Sequence, residues 1–257
     1  MISVVLAVYN EEKNIERCLN AVASFADEII VVDGESTDTT ASIAKKIGAT
    51  VISTTNKANF HINKQMAMDA AKGSLVLQLD ADEVVSSDLA QFIKESSKNI
   101  KKTDEKAWYI HRKNFFLGKF LTKGGQYPDP VIRLYVNGFA SLPQKDVHEQ
   151  MIVDGKIGVA KGHLLHYSNP SFDDYVRKFN AYTSFKAQQL KEQAIPLNVT
   201  QALNFGLIKP TSTFLSLYVR HKGFMDGIPG LVFAIMSGIY HLISYLKYWE
   251  LEVVGKE

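Results

Sequence analysis

Alternation between two periodicities constrains this chain most. Residues 2–8, 28–32, 50–53 and 75–79 are short apolar runs of β-forming composition. Between them, residues 11–25, 38–47 and 59–72 carry apolar side chains at helical spacing, as with Ile15, Leu19 and Val22 on one face. Strands separated by helices of this length form βαβ units, and so a parallel sheet with helices on both faces. Thr37 or Asp38 is the expected cap of the second helix, and Gly73 ends the third. From 107 to 167 the runs shorten and are broken by Gly and Pro, which predicts a mixed or antiparallel extension of the sheet. Residues 172–190 predict an amphipathic helix, with Phe172, Tyr175, Val176, Phe179, Tyr182 and Leu190 near one face.

The tail differs. Residues 228–246 contain no Asp, Glu, Lys or Arg. A helix of that length spans roughly 28 Å, close to the thickness of a bilayer core. Pro229, Gly230, Gly238 and His241 dilute its apolar character, while Tyr240, Tyr245, Tyr248 and Trp249 suit a membrane interface. Upstream, Lys209, Arg220, His221 and Lys222 suit anionic headgroups. A helix buried on the soluble domain, a helix inserted from one side and a full span all fit this composition. The organisation expected is one α/β domain over 1–200 and a helical, membrane-associating extension over 201–257.

Composition excludes several functions. With 29 basic and 27 acidic residues the net charge is +2, so nothing points to nucleic acid as a partner. Cys18 is the single cysteine, which rules out a disulfide within the chain and argues against a Cys-based zinc site. The start, MISVVLAVYNEE, has no basic region or small-residue cleavage site and reads as a strand leading to a turn; a cytoplasmic protein is expected.

In parallel α/β sheets, ligands bind beyond the carboxyl ends of the strands. The first strand ends in Val8-Tyr9-Asn10-Glu11, the second in Asp33-Gly34-Glu35-Ser36-Thr37-Asp38 and the fourth in Asp80-Ala81-Asp82-Glu83. Asp80 and Asp82 form an Asp-x-Asp, a hard-oxygen pair for a divalent cation that can neutralise a diphosphate. The same residues also suit a turn into a capped helix, since Ser86 and Asp88 follow. The Asp33 carboxylate can accept from a base N–H or a ribose hydroxyl, and Gly34 permits close approach. Lys57 and His61, after the third strand, are candidates to reach phosphates. Arg133, within the apolar run 131–136, can grip a phosphate or carboxylate in bidentate fashion, or face solvent. Some of Tyr109, Phe115, Phe116, Tyr127 and Tyr135 are candidates for stacking on a sugar, and most for the core.

Three segments in order, VVLAVYNEE, IIVVDGESTDTT and LQLDADE, resemble the family 2 glycosyltransferases of GT-A fold. PDPVIRLY, DVHEQM, LLHYS, KFNAYTSFKAQQ and GFMDGIPG are similar to a subgroup that includes bacterial lipopolysaccharide inner-core glucosyltransferases. The likeness covers nearly the whole chain. It implies a GT-A, Rossmann-like, mostly parallel sheet with helices on both faces, and an inverting transfer from a nucleotide-diphosphate sugar, a UDP-sugar above all. Asp33 would contact the base. Val8, Asn10 and Glu11 would line the nucleotide pocket, with Ala81, Lys57 and Arg133 also on the donor. Asp80 and Asp82 would handle Mg²⁺ or Mn²⁺ and the diphosphate, and His166 would complete the metal shell, with His163, expected on the same face of the strand, as its competitor. Inversion needs a base for the acceptor hydroxyl. Where many relatives carry Glu-Asp this chain has His148-Glu149; either residue suits the base, Glu149 ahead of His148, with His148 then orienting it or contacting the sugar, and a surface strand pair also fits these two residues. The expected acceptor is a lipid-linked glycan, such as lipopolysaccharide core, at the cytoplasmic face of the membrane. A polyprenyl phosphate would need no base, and a silent nucleotide-sugar-binding module would bind without turnover. A nucleotidyltransferase would need an early Gly- and Lys-rich loop that this chain lacks.

Overall fold

The computed structural model describes residues 1–57, 59–143 and 150–253. They form two compact units, Met1–Arg112 with Asp129–His166, and Lys113–Pro128 with Tyr167–Glu257.

The first unit runs β1 (Ile2–Val8), α1 (Ile15–Val22), β2 (Glu28–Asp33), α2 (Thr40–Ile47), β3 (Thr50–Ser53), α3 (Phe60–Asp69), β4 (Leu75–Leu79), β5 (Glu83–Val85) and α4 (Ser87–Asn99). After these along the chain come β6 (Glu105–Phe116) and β7 (Lys119–Phe120), of which residues 113–120 fall in the second unit, then β8 (Asp129–Val136), β9 (Ala140–Ser141), β10 (Ile152–Val153) and β11 (Lys156–His166). The main sheet has the order β3-β2-β1-β4-β8-β6-β11-β5. β1 pairs in parallel with β2 and β4, and β2 with β3. β8 pairs antiparallel with β4 and β6, and β11 antiparallel with β5. The expected parallel half and antiparallel extension are both present.

Strand alternation decides what each face packs against. Val4, Leu6 and Val8 of β1 join a core with Ile15 and Leu19 of α1 and Leu89 and Ile93 of α4. Val5, between them, points the other way, to Ala67 and Met68 of α3. Each fully buried Leu or Ile side chain is worth about 1.5–3 kcal/mol of burial. Helix ends follow local chemistry. Asn59 accepts from the His61 amide at the start of α3, and Ser86 from the Leu89 amide at the start of α4. Asp38 accepts from the amide and hydroxyl of Thr40 at the start of α2; the N-cap itself is Thr39, beyond the Thr37 or Asp38 expected, and its side chain makes no cap bond.

The second unit is helical. α5 (Phe172–Glu192) is capped by Ser171. Val199–Leu203 (α6), Asn204–Ile208, Lys209–Leu215 (α7) and Ser216–Arg220 follow one another without a break, the second and fourth as wider turns bonded i to i+5. A short 3₁₀ turn over Gly223–Asp226 leads to α8 (Ile228–Val253). The GFMDGIPG segment is a packing device. Asp226, 2% exposed, accepts from the amides of Thr122 and Lys123 and the Thr122 hydroxyl, and pairs with Lys119 at 3.4 Å. Gly230 is compelled, because a Cβ there would fall 2.0 Å from the Gly223 carbonyl oxygen. Phe116, Tyr175 and Phe233 pack edge to face beside it.

Candidate active site

A cleft of about 280 Å³ opens at the carboxyl ends of the parallel strands. β1 supplies Val8 and the turn after it Glu11; the segment after β3 supplies Asn56; α3 supplies Phe60, Asn63 and Lys64. The β4–β5 turn supplies Asp80, Ala81 and Asp82, and the end of β11 supplies His166. The segments after β1 and β4 thus meet where an open α/β sheet binds its ligand, while Asn10 and the 33–38 segment after β2 do not line this cleft.

The turns beyond β1 and β2 are tied together. The Asn10 backbone sits in the left-handed region at φ 55°. Its amide donates to the Ser36 hydroxyl at 2.9 Å, and its side-chain oxygen accepts from the Thr37 amide at 2.8 Å. Asp33 stands beside Val8 in register and is 4% exposed. Its Oδ2 accepts from the Ser36 amide at 3.1 Å, and its Oδ1 is buried with no partner. An orphaned carboxylate oxygen is costly unless something donates to it. The close approach that Gly34 permits is made by Asn56, whose Cα would lie 3.2 Å from a Cβ at that position.

Below the cleft lies an alternating set of charges. Lys64 Nζ is 2.5 Å from Asp80 Oδ1. Arg133 donates to Asp80 Oδ2 and to Gln78, and lies 3.1 Å from Glu83 Oε1. Glu83, fully buried, also accepts from the Asp80 amide at 3.0 Å and faces Arg112 at 3.6 Å, which in turn pairs with Asp129 at 2.9 Å. Burial by itself would raise the Asp80 carboxyl, but the charges of Arg133 and Lys64 outweigh it and hold the group well below the usual carboxylate range. Burial opposes the charge of Arg133, and the Asp80 and Glu83 carboxylates more than restore it. Cys18, buried beside this cluster with its thiol 3.6 Å from the Asp80 carbonyl oxygen, is pushed up by burial and by the carboxylates of Glu83, Asp80 and Asp82.

Asp82 and His166 sit beside this network, and the His166 charge also acts on Asp80. His166 Nε2 lies 3.4 Å from Asp82 Oδ2, and both line the cleft. Among the described residues no three His, Cys, Asp or Glu side chains make a ready cage for a metal. The pair still suits Mg²⁺ or Mn²⁺, which need only one or two protein ligands when diphosphate oxygens and water fill the rest. Asp80 does not match Asp82 in this respect, because Lys64 and Arg133 occupy its two oxygens. His163 is three residues from His166 on one strand, so the two point to opposite faces and only His166 lines the cleft.

Other expected residues sit elsewhere. Arg133 is beneath the cleft and not on its wall. Lys57 is exposed and bonded to the Thr55 hydroxyl at 2.5 Å. His61 is buried with Nδ1 3.1 Å from the Pro143 carbonyl oxygen. Tyr109, Phe115, Phe116, Tyr127 and Tyr135 do not line the cleft; Tyr135 is core, with its hydroxyl buried and pushed up by burial. His148 and Glu149 lie outside the described residues. Lys64, Asn63 and Asn56 were missed in the sequence. Phe60 and Lys64, one turn apart on α3, were the available signal.

Comparison with known proteins agrees with this geometry. Residues 3–145 match the model of glycosyl transferase family 2. A glycosyltransferase of Rickettsia typhi is 30% identical over 265 residues, covering 99% of this chain and 89% of its own. The lipopolysaccharide core biosynthesis glycosyltransferase LpsC of Rhizobium meliloti is 26% identical over 261 residues, 97% of this chain and 92% of its own. In fold, the chain is similar to S. aureus TarS in complex with UDP, with a TM-score of 0.51 and 16% identity over 99% of this chain and 91% of that one. The sheet, the cleft at its carboxyl edge and these matches together make the chain a member of glycosyl transferase family 2, an enzyme that transfers a sugar.

Proposed function

We propose that the cleft holds a nucleotide-diphosphate sugar, a UDP-sugar above all, and that the sugar passes with inversion to a hydroxyl of a lipid-linked glycan. The observation that carries this reading is that Asp82, His166 and Lys64 line the same cleft, an array of carboxylate, imidazole and ammonium suited to a diphosphate. In this reading the unpartnered Oδ1 of Asp33 accepts from the base or ribose, and Val8, Asn10 and Glu11 shape the nucleotide pocket. Lys64 pairs with Asp80 in the protein alone and turns to the diphosphate when donor binds. Asp80, clamped by Arg133, orients Lys64. Asp82 and His166 would hold Mg²⁺ or Mn²⁺, which would supply positive charge against the leaving diphosphate. The acceptor oxygen bonds to the anomeric carbon as the bond to the diphosphate breaks. The hydroxyl proton goes to Glu149, beside His148.

The lipid-linked acceptor is supported by the likeness to the LpsC glycosyltransferase and by α8. Among the described residues α8 is the one helix long and apolar enough to cross a membrane, and 28% of its most apolar window is buried within the chain. Residues 201–257 are proposed as a membrane-associating extension of a 1–200 catalytic domain working at the cytoplasmic face. The test is release of free nucleotide from UDP-, GDP- and CDP-sugars with and without a bacterial glycolipid extract. Release stimulated by the extract supports the reading. Donor binding without release from any sugar would replace it with a silent binding module.

A further inference from the structure

The membrane-associated reading leaves open which element meets the lipid. α8 is the apolar helix, with Ile235, Ile239, Leu246 and Trp249 exposed, yet two of its sides are occupied within its own unit. On one side Gly238 sits so close to Pro210 that a Cβ would lie 2.8 Å from its carbonyl oxygen, His241 meets the Thr213 hydroxyl at 3.0 Å, and Tyr245 stacks on Phe205 at 5.1 Å. On the other, Lys247 Nζ donates to Asn180, Thr183 and Ser184 of α5, and Lys191 pairs with Glu252 at 3.5 Å. α5 is charged along its length, with Asp173, Arg177, Lys178, Lys186 and Lys191 among its residues. A bilayer crossing by α8 would carry this charged neighbour, or its polar contacts, into hydrocarbon, which is costly.

The helical stretch on the opposite flank has a different outer face. Val199, Leu203, Leu207, Leu215 and Val219 are 75, 54, 60, 49 and 56% exposed. They repeat every four residues, with Thr211 filling the one gap. In a uniform α-helix such a row drifts about 40° at each step. The two wider turns, at Asn204–Ile208 and Ser216–Arg220, rotate less per residue and take back part of the drift. The row therefore stays on one side. Its charge pattern has one sign: between Glu192 and Asp226 the sequence holds no carboxylate, while it holds Lys209, Arg220, His221 and Lys222. Arg220 and Lys222 are exposed at the end of the row, beside Phe224 and Met225, themselves 52 and 56% exposed.

Resting on the membrane-associated reading, we infer that the outer face of residues 199–220, ending at Phe224 and Met225, is the docking surface, and that its partner is a membrane rich in anionic lipid, met in the plane of the interface with α8 as backing. The apolar row supplies burial and Arg220 and Lys222 supply attraction to headgroups.

The test is flotation of the full-length protein with vesicles of phosphatidylcholine alone or with about a third phosphatidylglycerol. The intact chain is expected to float with the anionic vesicles and far less with the neutral ones. Leu207→Gln with Val219→Gln should cut binding at least tenfold, and Arg220→Gln or Lys222→Gln about fivefold each. These side chains are exposed, so thermal unfolding should be unchanged. Ile235→Gln with Ile239→Gln, on α8, should cost less. If the intact chain floats with neither vesicle, the membrane reading itself fails. If it floats but the 207/219 variant floats equally well, or the α8 variant is the one that falls off, the membrane reading stands and this assignment of the surface is wrong.

Discussion

His166 Nε2 stands 3.4 Å from Asp82 Oδ2 because β11 pairs antiparallel with β5 and sets His166 opposite Glu83, the residue after Asp82. The pairing brings an imidazole from late in the chain to the carboxylate at the end of β4. Asp82→Asn should therefore lower turnover at least a hundredfold with little change in the melting temperature. His166→Gln should raise the divalent-metal concentration needed for half-maximal rate. A variant of Asp82 with unchanged turnover would remove this pair from the site.

Among the described residues Lys64 is the Lys or Arg that lines the cleft, and it pairs with Asp80. Lys64→Met should weaken UDP binding at least tenfold in calorimetry, the expected loss of one charge-assisted contact to phosphate. Equal affinity would mean that Lys64 serves Asp80 alone.

Arg133 illustrates what sequence can and cannot disclose. Its run, Val131–Ile132–Arg133–Leu134, was legible as a strand, and β8 spans Asp129–Val136. Its partners were not legible, because Gln78, Asp80 and Glu83 reach it through the β4–β8 pairing. Arg133→Met would leave the fully buried Glu83 short of countercharge and should cost about 3–5 kcal/mol in urea unfolding. A loss under 1 kcal/mol would show that Arg112 suffices.

Acid stability follows from Asp80. A carboxyl held below its ordinary value stabilises the fold above the unfolded value, near 3.9, and loses that contribution as pH falls towards the lowered one. Asp80→Asn should then reduce the slope of stability against pH between about 4 and 2 by up to one proton, about 1.4 kcal/mol per pH unit. An unchanged slope would place the acid-sensitive group elsewhere.

The same contrast holds across the chain. β1 to β4 and their helices were legible because each is a short local run, apolar in the strands and of period 3.6 in the helices. The cleft was legible in outline, since Asp80, Asp82 and Glu11 end strands or begin turns. Lys64 was hidden because nothing in FHINKQMAMD marks which helical face meets the cleft. GFMDGIPG was visible as a motif, but the reason for it is tertiary. Asp226→Ala should cost about 3 kcal/mol by stranding the Thr122 and Lys123 amides, read as a lower melting temperature.

The most direct measurement is metal-dependent release of UDP from UDP-sugars by the intact chain and by Asp82→Asn, with and without glycolipid acceptor. Release that needs Mg²⁺ or Mn²⁺, rises with acceptor and vanishes in the variant is the expected result. Release that is the same in Asp82→Asn, or tight donor binding with no release from any sugar, would contradict the assignment of this cleft as the site of sugar transfer.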